Sequence, residues 1–226
     1  MATDRIVLAV DVGGSHVKAL TSQETERRRF KSGHSLTAEQ MVAGVLSAVE
    51  GWDWDVVSVG IPTPVRNDKV VAEPVNLGDG WVDFDYEEAF GKPTKVVNDA
   101  AMQAVGSYEG GRMLFLGFGT GLGSTLIADG VIEPLELGHL PFRKKTFEDY
   151  VGERALDELG KKKWREAVFE TVERLTAAME PDEVVLGGGG VDELDELPPG
   201  CRRGANENAF LGGFRLWDPD SGLSEH

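Results

Sequence analysis

Cysteine is nearly absent from this chain of 226 residues: Cys201 stands alone, so no internal disulfide can form. The four histidines are scattered, and no spacing of a zinc framework can be read from them. Long apolar runs are also missing. No segment approaches the ~20 residues that span a bilayer, and the opening MATDR leads into a short apolar run without a basic leader or a small-residue cleavage site. The expectation is a cytoplasmic protein of a reducing compartment with no membrane partner. Positive charge is scarce, because 23 Lys and Arg face 39 Asp and Glu, for a formal net charge of -16. Nucleic-acid backbones require a concentrated basic face, so nucleic acid is not an expected partner. Two basic clusters, ERRRF and GKKKW, sit within acidic sequence and read as solvated faces. The second has an alternative reading as an anion-binding rim built from lysines 161 to 163.

What the chain does have is glycine placed after apolar strands. RIVLAVDV, a Gly-Gly corner and HVKALTS read as a β-hairpin, and TAEQMVAGVLSAVE as a helix opened by Thr37 with Gln40 three residues on. WDVVSVGIPTPV is a buried strand stopped by prolines, DYEEAFG a short helix, and KPTKVVNDAAMQAVGSYEGG a strand, a helix and a glycine stop. Strands alternating with helices indicate an α/β sheet that is partly parallel. Gly110 and Gly111 mark the expected boundary between domains 1–109 and 110–226. Beyond it, LFLGFGTGLGSTLIADG repeats the opening pattern and aligns without a gap, Leu8 on Leu114 and Lys18 on Ser124, with Gly117 in place of Asp11. FEDYVGERALDELG and KKKWREAVFETVERLTAAME are helical by period, PDEVVLGGGGV is a strand, ANENAFLGGFRLW is a last helix able to pack back on the first domain, and DPDSGLSEH is a frayed tail.

Three turns, DVGGS, GFGTGLG and LGGGG, therefore follow apolar strands. Glycine lets backbone N–H groups converge on phosphate oxygens; each turn taken alone is more often just a turn, and three of them in a duplicated α/β frame favour phosphate binding. No P-loop or dinucleotide-binding fingerprint is present. Asp11 beside the first turn would repel phosphate unless a Mg²⁺, held through water, lay between them; the plain alternative is a turn cap. Lys18 could add a second positive charge. Asn98 and Asp99 stand where a strand passes into a helix, which suits an N-cap as well as a general base. Glu136, His139 and Glu148 follow the second hairpin and suit a polyhydroxylated ligand, whose hydroxyls donate and accept. Trp81 could border such a ligand.

In this order, VDVGGSHVKA, NDAA, FGTGLGSTLI, ELGHL, FEDY and VVLGGGG resemble the ROK family of sugar kinases, and within it the polyphosphate glucokinase branch. The resemblance implies an α/β fold of two actin-like, ribonuclease H-like domains with a substrate cleft between them. It implies Asp99 as base for the sugar 6-hydroxyl, and Asn76, Asn98, Glu136, His139 and Glu148 as sugar ligands. Asp11, Gly13, Gly14 and Ser15 match a first phosphate motif, Gly119, Thr120 and Gly121 a second, and Gly187 to Gly190, with Gly188 and Gly189 at the centre, an adenosine-side loop. It further implies Mg²⁺, a polyphosphate or ATP donor and a homodimer. The cysteine cluster that binds zinc in many members has no counterpart here. His16 replaces a small residue, and VDELDELPPGCRRG is shorter than the usual nucleotide-side segment. The expected activity is phosphoryl transfer to the 6-hydroxyl of glucose. An ATP-dependent kinase for mannose, fructose or an amino sugar, and a non-catalytic sugar-binding regulator, are the alternatives.

Overall fold

The computed structural model describes residues 5–205 and 207–225. The described chain divides into two compact units, residues 5–106 with 207–224, and residues 107–205 with 225. The glycine pair at 110 and 111 lies just beyond the first division.

In the first unit, β1 (Val7–Val12) and β2 (His16–Thr21) form an antiparallel hairpin, and β3 (Arg28–Lys31) extends it at the edge. The sequence reading leaves residues 28–31 outside any element, because their charge masks the alternation that the strand shows: Arg28 and Phe30 are half-buried, Arg29 and Lys31 exposed. Helix α1 (Ala38–Ala48) begins with the expected capping box, in which the Gln40 N–H donates to Thr37 Oγ1 and the Thr37 N–H to Gln40 Oε1, each at 3.2 Å. Strand β4 (Val56–Ile61) is buried at every position and lies parallel to β1. A small hairpin follows, β5 (Val65–Arg66) and β6 (Lys69–Val70), whose turn holds Asn67 and Asp68 at positive φ. Helix α2 (Tyr86–Phe90) is capped by Asp85 and stopped by Gly91 at φ 65°, a left-handed position that glycine takes without strain. Strand β7 (Thr94–Asn98) then runs directly into α3 (Asp99–Ser107).

The second unit opens with β8 (Arg112–Phe118), β9 (Leu122–Ala128) and β10 (Val131–Leu135), an antiparallel meander. The hairpin β11 (Pro141–Phe142) and β12 (Lys145–Thr146) leads to α4 (Glu148–Val151), α5 (Glu153–Leu159) and α6 (Lys161–Met179). FEDYVGERALDELG is thus two helices, not one. Gly152 breaks it in an extended conformation, and a Cβ there would lie 2.5 Å from the Thr120 carbonyl oxygen. Strand β13 (Glu183–Gly187) lies parallel to β8, and β14 (Cys201–Arg203) parallel to β13. The chain then adds α7 (Asn208–Arg215) to the first unit; Asn206 lies outside the described residues. The tail is not frayed over its described length, since Asp218 and Ser221 close turns and Ser224–Glu225 is a short strand, β15.

The five-stranded sheet of the first unit, β3-β2-β1-β4-β7, is repeated by five strands of a six-stranded sheet, in reverse listing β10-β9-β8-β13-β14, to which β15 adds next to β10. Three strands form an antiparallel meander and two continue in parallel. The gapless alignment of the two openings needs one correction. Val12 pairs with Val17 across Gly13 to His16, whereas Phe118 pairs with Leu122 across Gly119 to Gly121, so the second turn is one residue shorter. Lys18, the partner of Asp11, therefore corresponds to Gly123 opposite Gly117, and not to Ser124. The second copy has neither member of the charged pair. Each sheet packs its apolar residues into its own core, around Val10, Val59, Met41 and Trp81 in the first unit and Leu116, Phe118, Trp164 and Leu186 in the second.

Candidate active site

The first glycine turn is fixed by backbone geometry and by one neighbouring serine. The Gly13 N–H donates to the His16 carbonyl at 3.0 Å, and a Cβ on Gly13 would approach that oxygen to 3.1 Å. Ser32, just past β3, donates its N–H to the Ser15 carbonyl at 3.1 Å and its hydroxyl to the Gly13 carbonyl at 2.6 Å. Ser32 is a positioning residue that sequence reasoning missed, because nothing in its local pattern signals a contact made across the sheet. Asp11 and Lys18 face each other in the ladder, with Lys18 Nζ 3.0 Å from Asp11 Oδ2. A Mg²⁺ at a phosphate site uses one or two carboxylates and takes its other ligands from water and phosphate. Asp11 supplies one half-buried carboxylate, and among the described residues no group of three His, Cys, Asp or Glu gathers for a metal. The residues fit an ion held chiefly by its phosphates and water, and do not fit a protein-caged one.

Asn76 reaches this turn from the loop after β6, its Cβ lying 3.7 Å from where a Gly14 Cβ would stand. The loop is pinned by Glu73, whose carboxylate accepts the N–H groups of Gly80, Trp81 and Val82 at 3.2, 3.0 and 3.4 Å. The Gly78 N–H and Trp81 Nε1 both donate to the Leu36 carbonyl. Trp81 is 0% exposed. It anchors the loop from within the core and does not border a ligand, because its large apolar ring gains most by full burial.

At the end of β7, the Asn98 side-chain oxygen accepts the N–H groups of Ala100 and Ala101 at 2.9 and 3.2 Å, while its amide donates to the Thr63 carbonyl at 3.2 Å. The capping function anticipated for the Asn-Asp pair thus falls on Asn98, and Asp99 is the first residue of α3. Its carboxylate accepts the Ala100 N–H at 2.8 Å and sits at the positive end of the helix dipole.

In the second unit three predicted features come together. Gly119 to Gly121 close the β8–β9 turn; a Cβ on Gly121 would stand 2.7 Å from Glu148 Oε2, so glycine at this position admits the carboxylate. His139, at the end of a 3₁₀ turn, places Nδ1 3.9 Å from Glu136 Oε2 and Nε2 3.6 Å from Glu148 Oε1. Burial, the largest influence, pushes the Glu136 carboxyl above its ordinary range; His139 opposes this and Glu148 adds to it. The loop after β13 packs on the same turn, with Gly188 at φ 79° and its absent Cβ 2.3 Å from the Phe118 carbonyl oxygen. Lysines 161 to 163 are exposed at the start of α6, and Lys161 is held 2.5 Å from Glu193.

No family model matches the chain. In sequence it is 26% identical to the polyphosphate glucokinase of Mycobacterium tuberculosis over 223 aligned residues, covering 87% of this chain and 82% of that one. Among solved structures it resembles the inorganic polyphosphate/ATP-glucomannokinase from Arthrobacter sp. strain KM at a TM-score of 0.79 and 24% identity, covering 92% and 96% of the two chains. A ROK family glucokinase from Streptomyces griseus, in complex with glucose and AMPPNP, matches at a TM-score of 0.70 and 18% identity over 92% and 97%. The fold is the α/β two-domain fold of sugar kinases. In sequence the chain is thus similar to polyphosphate glucokinases, and in fold to sugar kinases. Among the described residues no helix is long and apolar enough to cross a membrane.

Proposed function

We propose that this protein transfers a phosphoryl group from polyphosphate or ATP to the 6-hydroxyl of glucose. The observation that carries the reading is the likeness to polyphosphate glucokinase over 87% of the chain. In this reading Asp99 takes the proton from the sugar hydroxyl as it attacks phosphorus. Placing Asn98 in the cap directs the next residue to the helix start, where the Ala100 N–H holds its carboxylate in position. Asn98 keeps a second amide hydrogen to offer the sugar. Glu136 and Glu148 accept hydroxyl hydrogens, His139 donates or accepts, and Asn76 contributes its amide. Backbone N–H groups of the turns at Gly13 to Ser15 and Gly119 to Gly121 bind donor phosphates, and Gly188 and Gly189 serve a nucleotide. Asp11 holds Mg²⁺ through water, an ion that supplies charge neutralisation at the phosphates. A cytosolic homodimer completes the reading.

The test is purified protein assayed with glucose, mannose, fructose and an amino sugar against ATP and polyphosphate, with and without Mg²⁺; mannose is included because the Arthrobacter neighbour is named a glucomannokinase. Glucose 6-phosphate formation is the expected outcome. Asp99→Asn should lower kcat by about 10²–10⁴ with glucose affinity, read by calorimetry, largely kept. Retained turnover in that variant overturns the assignment of the base, and no product from any pair favours a sugar-binding regulator.

A further inference from the structure

The edge of the first sheet carries positive charge that the proposed reaction does not use. Directly opposed residues in an antiparallel ladder project from the same face. The ladder pairs Asp11 with Lys18 and Lys18 with Arg29, and one step further it pairs His16 with Lys31. His16, Lys18, Arg29 and Lys31 therefore share one face of β2 and β3. The opposite face, with Val17, Ala19 and Phe30, packs inward beside α1. Helix α7 covers the shared face over β1 and β4, where Gly213 meets Ala9 and Ser58, and leaves β3 uncovered. Arg29 and Lys31 are exposed, and among the described residues neither makes an ion pair.

We propose that this face is a track for the outer phosphates of a linear polyphosphate, leading to the glycine turn; the inference rests on the donor reading above. Its direction follows from the register. Going along β2 from Lys18 to His16 and on to Ser15, the pairs Lys18–Arg29 and His16–Lys31 are followed at once by the Ser32–Ser15 and Ser32–Gly13 hydrogen bonds of the phosphate turn. Successive pairs are about 7 Å apart along the strand, and their members about 5 Å apart across it, so a flexible polyanion meets cations in steps as it leaves the turn. An edge strand can carry charge merely to block pairing with another chain. Blocking needs charge, lysine above all, only on the edge strand itself, whereas here basic side chains continue onto β2 at His16 and Lys18 and lead to the phosphate turn. Lys18 is paired with Asp11, but Arg29 and Lys31, which make no ion pair among the described residues, stand with the His16 imidazole on one face that ends at an anion turn, and they call for an anionic occupant. This also gives His16 and Arg29 of the ERRRF segment a common purpose.

The experiment compares wild type with Arg29→Ala/Lys31→Ala and with the charge-keeping Arg29→Lys/Lys31→Arg. Equilibrium binding of long-chain polyphosphate is measured by calorimetry over a salt series, alongside KM for long-chain polyphosphate and for tripolyphosphate. The alanine pair should weaken long-chain binding about tenfold and lower the salt slope by about two, with KM for tripolyphosphate within twofold of wild type; the charge-keeping pair should behave as wild type. Equal long-chain binding in all three proteins overturns the track, as does comparable affinity of the same face for a single-stranded oligonucleotide of matched length. The binding arm needs no turnover, so failure of the kinase reading and failure of the track are told apart. A melting curve for each variant confirms folding.

Discussion

At the residue scale, the cluster of Glu136, His139 and Glu148 combines ligand geometry with a shifted proton equilibrium. Burial, aided by Glu148 and opposed by His139, holds the Glu136 carboxyl above its ordinary range. The native state then keeps this proton to higher pH than the unfolded chain does. Its contribution to stability is full at low pH and declines as pH rises from the unfolded pKa through the raised folded one. Sugar binding has the opposite trend, because only the carboxylate accepts two hydroxyl hydrogens. Glucose affinity should fall as pH is lowered through that raised value, and Glu136→Gln should flatten this part of the profile. Calorimetric titrations of both proteins between about pH 4 and 7, spanning the carboxylate range and above, provide the check, and an unaltered profile in the variant would assign the titration to another group. The same cluster shows what sequence could and could not supply. Glu136 and Glu148 were readable as candidates, but the fit of Glu148 over Gly121 was not, since it depends on a missing Cβ.

At the scale of elements, the crossing of α3 and α7 is the tightest fit in the first unit. A Cβ on Gly106 would stand 1.8 Å from the Asn208 carbonyl oxygen, and one on Gly212 would stand 1.8 Å from the Met102 carbonyl oxygen. The backbones touch, so no rotamer change can relieve an added methyl. Ser58 secures the same helix, donating to the Gly213 carbonyl at 2.7 Å and accepting Trp217 Nε1 at 3.0 Å. Gly106→Ala or Gly212→Ala should each cost about 3 kcal/mol, a fall in Tm of about 6–12 °C, while Gly189→Ala, whose Cβ would meet nothing within 4 Å, should change Tm far less. Equal shifts for all three would mean that the crossing is looser than it looks. The helix itself was visible in ANENAFLGGFRLW. Its glycines are explained by the crossing. Strand β3 was the opposite failure: its arginines read as solvated charge because local sequence cannot tell an edge strand from a loop. Thr37, Gln40, Asp85 and Gly91 were the easy cases, since caps are local by nature.

At the scale of the whole molecule, two electrostatic effects of opposite sign are superimposed. A net charge of -16 on 226 residues repels itself in the compact state and repels any polyanion that approaches. The basic face of β2 and β3 acts only at short range. Salt screens both, with a Debye length of about 30 Å at 0.01 M and about 8 Å at 0.15 M, so the long-range repulsion is lost before the close contacts are. Raising salt over this interval should therefore increase Tm, while association of polyphosphate quickens and its release quickens more, because bound phosphates are replaced by counterions. Differential scanning fluorimetry and stopped-flow binding over the same series measure the two trends. A melting temperature that falls with salt would show that local ion pairs, such as Arg202 with Glu183 and Arg143 with Glu170, outweigh the net repulsion. These pairs are few and partly exposed, and exposed pairs contribute about 0–1 kcal/mol each, so the excess of 16 negative charges should decide the sign.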